Sequence, residues 1–418
     1  MAGPTSYFDP SRSGELDPTT RDLVERRARS LGSAYRLFYE KPVQFVRGSG
    51  TKLWDTEGSE YLDAYNNVPS VGHAHPRVVA AIAEQAATLN THTRYLSEGL
   101  LLYAEDLLAT FPAEIGNVMF TVSGSEANDL ALRIAKNATG GTGVIVTSNA
   151  YHGVTTEIAA ISPSLGGLDS LADWVRVVSP DDLATGVPAA LADLAAHGIR
   201  PAALILDTIL ASDGVIPDAP GLASAVSAVR QAGGLFIADE VQPGFGRLGT
   251  GLWGFDRYGL VPDLVTIGKP MGNGHPVAAV LARPELIEEF GRRVRYFNTF
   301  GGNTVSIAAA QATLDVVRDE GLVENARVIG RRVLDGVREL ARIHPSVGDV
   351  RGEGLFIGVD LPSERDALAV VNGLRARFVL LAASGPLNNT LKIRPPLPFD
   401  GADSDRLLET LDGELGKL

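Results

Sequence analysis

The feature that most constrains this chain is a series of short apolar runs between residues 117 and 282: NVMFTV (117–122), TGVIVT (142–147), VRVVS (175–179), ALILDT (203–208), GLFIADEV (234–241), DLVTIG (263–268) and PVAAVLA (276–282). Each has the length of a strand, and helical stretches lie between several of them. Strands of this kind, apolar on both faces and separated by helices, belong to a mostly parallel sheet covered on both sides. The expected fold class is therefore α/β, with a mostly parallel seven-stranded sheet in a large domain.

The flanks read differently. Residues 1–20 are rich in Pro, Ser, Thr and Gly and suit a loose arm. A helical period runs from about 21 to 38 through Leu23, Val24, Ala28 and Leu31, and residues 43–64 suggest short strands with a turn at Thr56-Glu57-Gly58. Beyond 305 the pattern predicts a long helix (306–343), strands near 348–360, a helix near 364–377, a strand near 390–394 and a terminal helix. The expected division is an N-terminal arm with part of a small domain (1–64), a large ligand-binding domain (65–305) and a small α+β domain (306–418).

The 418 residues carry a formal net charge of −13 and no cysteine. The charge argues against nucleic-acid or anionic-membrane partners. Without cysteine there are no disulfides, thiolate metal sites or cysteine nucleophiles. No apolar stretch is long enough to span a bilayer, and the first residues lack a basic start and an apolar core, so a soluble cytoplasmic protein is expected.

Three segments carry chemistry. Ser123-Gly124-Ser125-Glu126 follows the strand NVMFTV and opens a helix whose apolar stripe is Ala127, Leu130, Ala131 and Ile134. Ser123 and Glu126 fit a capping box, and a Gly-Ser turn at a helix N-terminus is also an anion site. Asp239-Glu240 ends a run that otherwise reads as buried. A carboxylate there needs a partner: a protonated ring nitrogen, a structural cation, or a metal for which no histidine spacing is present. Lys269 follows a buried strand inside the Gly-rich turn GKPMGNG. It is either an exposed loop lysine or an amine made nucleophilic by its surroundings. Together, a phosphate cradle, a carboxylate and a lysine meet the needs of pyridoxal 5′-phosphate (PLP).

Longer segments give a resemblance. LDAYNNVPSVGHAHPRVVAAI, FTVSGSEANDLALRIAK, NAYHGVT, LFIADEVQPGFGR, DLVTIGKPMGNGHP, YFNTFGGN, VRGEGLFIGVDL and LKIRPPLPF resemble class III aminotransferases, fold-type I PLP enzymes, from about residue 35 to the C-terminus. NNVPSVGHAHP with NTFGGN and LKIRPP looks most like the branch of ethanolamine-phosphate and phosphohydroxylysine phospho-lyases. The resemblance implies PLP as cofactor, held as a Schiff base on Lys269. It implies Asp239 on the pyridine nitrogen, with Ser123, Gly124 and Ser125 around the phosphate. Tyr151 would stack on one ring face and Val241 on the other, with His152 shaping the turn and Gln242 at the ring hydroxyl. Thr299 would reach the phosphate of a neighbouring subunit, which implies a homodimer with shared sites. Arg394, Asn66 and Asp207 fall at substrate-binding positions.

Relatives commonly carry Glu where this chain has Asp207, Thr where it has Pro243 and Pro where it has Thr304. A shorter acid at 207 would screen Arg394 less, which puts the two-substrate cycle of a transaminase in question. The resemblance points first to an aminotransferase acting on a small primary amine. Elimination of phosphate comes next, with Arg94 or Arg394 as candidate anion ligands, and decarboxylation or oxygen-dependent oxidation follows. A catalytically silent PLP-fold binding protein is the non-enzyme alternative. A nucleotide-binding reading fails for lack of a G-x-G-x-x-G or Walker loop.

Overall fold

The computed structural model describes residues 7–418. Its strands are β1 (Phe45–Ser49), β2 (Lys52–Asp55), β3 (Glu60–Asp63), β4 (Asn117–Thr121), β5 (Gly143–Thr147), β6 (Val175–Val178), β7 (Pro201–Asp207) and β8 (Leu235–Asp239). They continue with β9 (Leu264–Ile267), β10 (Ala278–Ala282), β11 (Val350–Glu353), β12 (Phe356–Asp360), β13 (Val379–Leu380), β14 (Ala382–Ser384) and β15 (Thr390–Ile393).

All the apolar runs read from the sequence enter one seven-stranded sheet in the order β4-β10-β9-β8-β7-β5-β6. β10 runs antiparallel to both β4 and β9, and the other pairs are parallel. Successive side chains divide between the two faces, as the two-residue period requires. Val144, Val146, Ile205 and Ile237 pack with Ala127, Leu130, Ala131 and Ile134 of the Gly124–Thr139 helix. Ile145, Leu204, Leu206 and Phe236 pack on the opposite side with Val187 and Val226, from the helices Leu183–Ala196 and Ala219–Gln231. Each such Leu, Ile or Phe contributes roughly 1.5–3 kcal/mol when fully buried.

Two smaller sheets complete the fold, β1-β2-β3-β13 and β11-β12-β15-β14. In the first, β13 pairs in parallel with β3, Val379 opposite Leu62, which ties the N-terminal segment to the C-terminal one. The single helix expected over 306–343 is instead two, Thr304–Asp319 and Leu322–Ile343. Gly321 takes a left-handed φ of 61° between them, a conformation glycine adopts without steric cost. The helix expected over 21–38 spans Pro18–Leu31; Asp17 caps it through the Thr19 and Thr20 amides, and Gly32 ends it. Among the described residues no helix is long and apolar enough to cross a membrane.

Candidate active site

The carboxyl ends of the central strands converge on one cavity of about 360 Å³. Ligands bind at this edge of a parallel sheet because the crossover loops leave a crevice there. Asp207 ends β7 and Asp239 ends β8, while Lys269 follows β9. The Gly124–Thr139 helix starts beside them, just after β4. Ser123, Gly124, Ser125, Tyr151, His152, Asp207, Asp239, Val241, Gln242 and Lys269 all line the cavity.

Capping builds the cradle. The Ser123 hydroxyl accepts from the Glu126 amide at 3.2 Å, and Glu126 accepts from the Val122 amide at 2.9 Å, one residue earlier than a standard capping box. The Ser125 hydroxyl accepts from the Val154 amide at 3.1 Å, closing the Tyr151–Gly153 turn over the helix start. Space here admits only glycine. A Cβ on Gly124 would lie 2.8 Å from a Val241 methyl, and one on Gly153, at φ 136°, would lie 2.4 Å from the Ser125 hydroxyl.

Asp239 is buried, and its carboxylate is fixed from three directions. Asn128 Nδ2 donates to it at 2.8 Å and the Val241 amide at 3.0 Å, while His152 Nδ1 lies at 2.8 Å. Asn128 is itself held by Thr266 and by the His152 carbonyl. Asp207 lies 3.5 Å from the same imidazole nitrogen and accepts from the Ala211 amide at 2.9 Å. Burial opposes a charge on His152, but the hydrogen bond to Asp239 and the field of both acids outweigh it, so its pKa is raised. Burial, then the neighbouring Asp239, raises the Asp207 pKa. These three side chains bring candidate ligand atoms within 4.8 Å of one another, a cluster that sequence spacing did not suggest.

Lys269 is half-buried beside the cradle at φ 26°, a strained angle for a residue with a side chain. Burial and the nearby Arg394 lower its amine to about 8. Arg394, 2 % exposed, donates through Nη1 to the Ala211 carbonyl at 2.6 Å and to Gln242 Oε1 at 3.1 Å. Its guanidinium lies 3.7 Å from the Phe356 ring centroid. Nε and Nη2 have no partner, leaving one edge of the fork free. Among the described residues no ion pair joins Asp207 to Arg394, since Asp207 is engaged by His152 and the Ala211 amide.

A family model, Aminotransferase class-III, matches residues 38–415. The chain belongs to the class III aminotransferases. Among solved structures this aminotransferase-family chain is similar to a phospholyase from Arthrobacter in complex with phosphoethanolamine, at 42 % identity and TM-score 0.92, covering 95 % of this chain and 100 % of that one. It is 38 % identical to ethanolamine-phosphate phospho-lyase homolog 1 of Caenorhabditis elegans, over 93 % of this chain and 91 % of that protein. It is also 38 % identical to an alanine–glyoxylate aminotransferase 2-like protein of Drosophila melanogaster, over 93 % and 85 %. The fold is that of fold-type I PLP enzymes, and the protein is a PLP-dependent enzyme acting on amines.

The class III site suits that cofactor on its own geometry. A helix N-terminus with glycine at its closest approach, a buried carboxylate and a half-buried amine with a depressed pKa share one cavity. Four residues singled out from the sequence are not among those lining the cavity. Thr299 is exposed and outside the cavity, next to Asn298, which donates to Glu126 at the helix start. Asn66 is turned away: its amide and Nδ2 both donate to Asp63, at 2.9 and 3.0 Å, because that acid caps the turn after β3. The neighbouring Asn67 faces the site instead and donates to Gln242 Oε1 at 3.2 Å. Arg394 is not among the residues that line the cavity but borders it, donating to the lining residue Gln242. Arg94 is exposed and sits over Phe297, 3.8 Å from the ring centroid. Asn67, Asn128, Arg247 and Lys392 gain their places only from contacts between distant segments.

Proposed function

We propose that this enzyme eliminates phosphate from a small phosphorylated primary amine such as phosphoethanolamine. The observation that carries the reading is the free, buried edge of Arg394. A transaminase accepts two different substrates in turn, and an acid that pairs with the arginine in one half-reaction lets a single site serve both. Here Asp207 is committed to His152 and the Ala211 amide. Arg394 is therefore available as a cation throughout the cycle, which suits one anionic substrate bound in one way. The phosphate-lyase relatives support the same choice.

In this reading Lys269 anchors the cofactor and, once freed by the substrate's amine, takes the proton from the substrate's Cα. Bound PLP supplies an electron sink for the Cα–H bonding pair, provided its ring nitrogen stays protonated. Asp239 would hold that proton, with His152 and Asn128 fixing the carboxylate. Ser123, Gly124 and Ser125 would hold the cofactor phosphate, with Tyr151 and Val241 at the ring faces and Gln242 at the ring hydroxyl. Arg394 holds the substrate's phosphate until the C–O bond at the next carbon breaks. Overall one water is consumed, and phosphate, ammonia and an aldehyde are released.

We further propose a homodimer in which Thr299 completes the cradle of the partner subunit. A hollow of about 1130 Å³ between the helices Pro76–Thr88, Glu98–Leu108 and Thr304–Asp319 is lined by Leu89, Tyr95, Leu96 and Leu100. Leu96 is 100 % exposed in the single chain, and an exposed apolar rim of this size suits a subunit contact. Product analysis tests the reaction. Phosphoethanolamine should yield phosphate and an aldehyde in equal amounts, while alanine with glyoxylate yields no pyruvate. Pyruvate formation without phosphate release would establish transamination instead.

A further inference from the structure

We propose that Lys392 is the second cation of the substrate's anion site and makes that site select a doubly charged phosphate over a carboxylate. The inference rests on the reading of an enzyme that acts on a phosphorylated amine. Lys392 lies on β15 two residues before Arg394, so the two project from the same face of the strand. Its ladder partners are Gly358 on β12 and Ala382 on β14, so no larger side chain flanks it. The loop after β7 covers that spot closely: a Cβ on Gly358 would lie 2.3 Å from the Asp213 carbonyl oxygen.

Lys392 is half-buried, and among the described residues it makes no hydrogen bond or ion pair. Its amine feels two cations, Arg394 and Lys269, against the acids Asp213 and Asp207. Burial first, then those cations, hold it well below the ordinary lysine value. Nearby, Arg394 keeps Nε and Nη2 free, and the buried Arg247 keeps Nη2 free. Buried or half-buried cationic side chains with unused donors favour an anion among them.

The stoichiometry of charge sets which anion fits. A carboxylate brings one charge and two oxygens, which the free edge of one guanidinium satisfies. A phosphate monoester brings up to two charges and three terminal oxygens. One guanidinium cannot match it, and an ammonium with three donors outside the guanidinium plane can.

Calorimetric titration of the PLP-loaded wild type and of Lys392→Gln with inorganic phosphate and with acetate tests this. The titrations are run near pH 8.5, where phosphate groups are already dianionic, their second pKa being roughly 6–7. Wild type should bind phosphate. K392Q should weaken phosphate about tenfold or more and leave acetate within about twofold. Lys392→Met, similar in length and apolar, is a second neutral variant should the amide disturb folding. Equal weakening of both anions, weakening of neither, or no phosphate binding by wild type overturns the assignment. Selective weakening in an enzyme that releases no phosphate from phosphoethanolamine would keep Lys392 in this role and remove the elimination reading. Phosphate release untouched by K392Q would remove Lys392 alone.

Discussion

Arg394 and Lys269 act on each other as well as on ligands. Burial and Arg394 bring the Lys269 amine down to about 8. An amine attacks an aldehyde only in its neutral form, so cofactor capture by the apoenzyme should speed up as pH rises to about 8 and level off above it. For an unperturbed amine the rise would continue towards 10.5. Stopped-flow absorbance of PLP uptake at a series of pH values reads this directly. Arg394→Ala removes a cation that depresses the amine, so the same midpoint should move to higher pH. It should also raise KM for a phosphorylated amine by roughly 10- to 100-fold, the worth of a charge-assisted fork. Steady-state kinetics check this second effect. Lys269, Asp239 and the Gly124-Ser125 turn were legible in the sequence because each follows a buried strand, where a charged or glycine residue is out of place. Asn67 and Lys392 were not legible. Nothing local distinguishes Asn67 from Asn66 until Asp63 is seen to claim the latter, and Lys392 gains meaning only beside Arg394 and the Lys269 that the turn after β9 brings near it.

At the level of elements, close backbone approach sets the constraints. Gly124→Ala would drive a Cβ to 2.8 Å from Val241, on the turn that carries Asp239. It is expected to weaken PLP retention at least tenfold while shifting stability by only about 1–2 kcal/mol; equilibrium dialysis and a denaturant melt separate the two effects. Gly321→Ala should cost about 1 kcal/mol, since φ 61° is disfavoured for any side chain, without changing cofactor binding. That same glycine explains why one helix was expected over 306–343. Its apolar pattern runs on from one helix to the next, and a left-handed φ leaves no mark in a sequence. β13 and β14, of 2 and 3 residues, are too short to carry a period. The seven strands of the main sheet were legible because burial on both faces forces nearly every residue to be apolar.

At the scale of the whole molecule, the chain presents Leu96, Tyr95 and Leu102 to solvent, at 100, 65 and 57 % exposure. The protein is expected to be a dimer by light scattering. Leu96→Asp should shift it towards monomer and lower its PLP content, because each cradle would lose the partner's Thr299. A monomer that keeps its full cofactor would count against the shared site. The parallel sheet and its ligand-binding edge could be read from the order of strands and helices. The subunit surface could not, because its residues come from separate helices and read locally as ordinary amphipathic positions. The measurement that bears most directly on the account is the number of turnovers of phosphoethanolamine without any keto acid, followed by phosphorus NMR. A transaminase without an acceptor stops after one turnover per site, with its cofactor left in the amine form. We predict continued release of one phosphate per substrate over many turnovers; a halt after one equivalent per site, relieved by adding a keto acid, would contradict elimination.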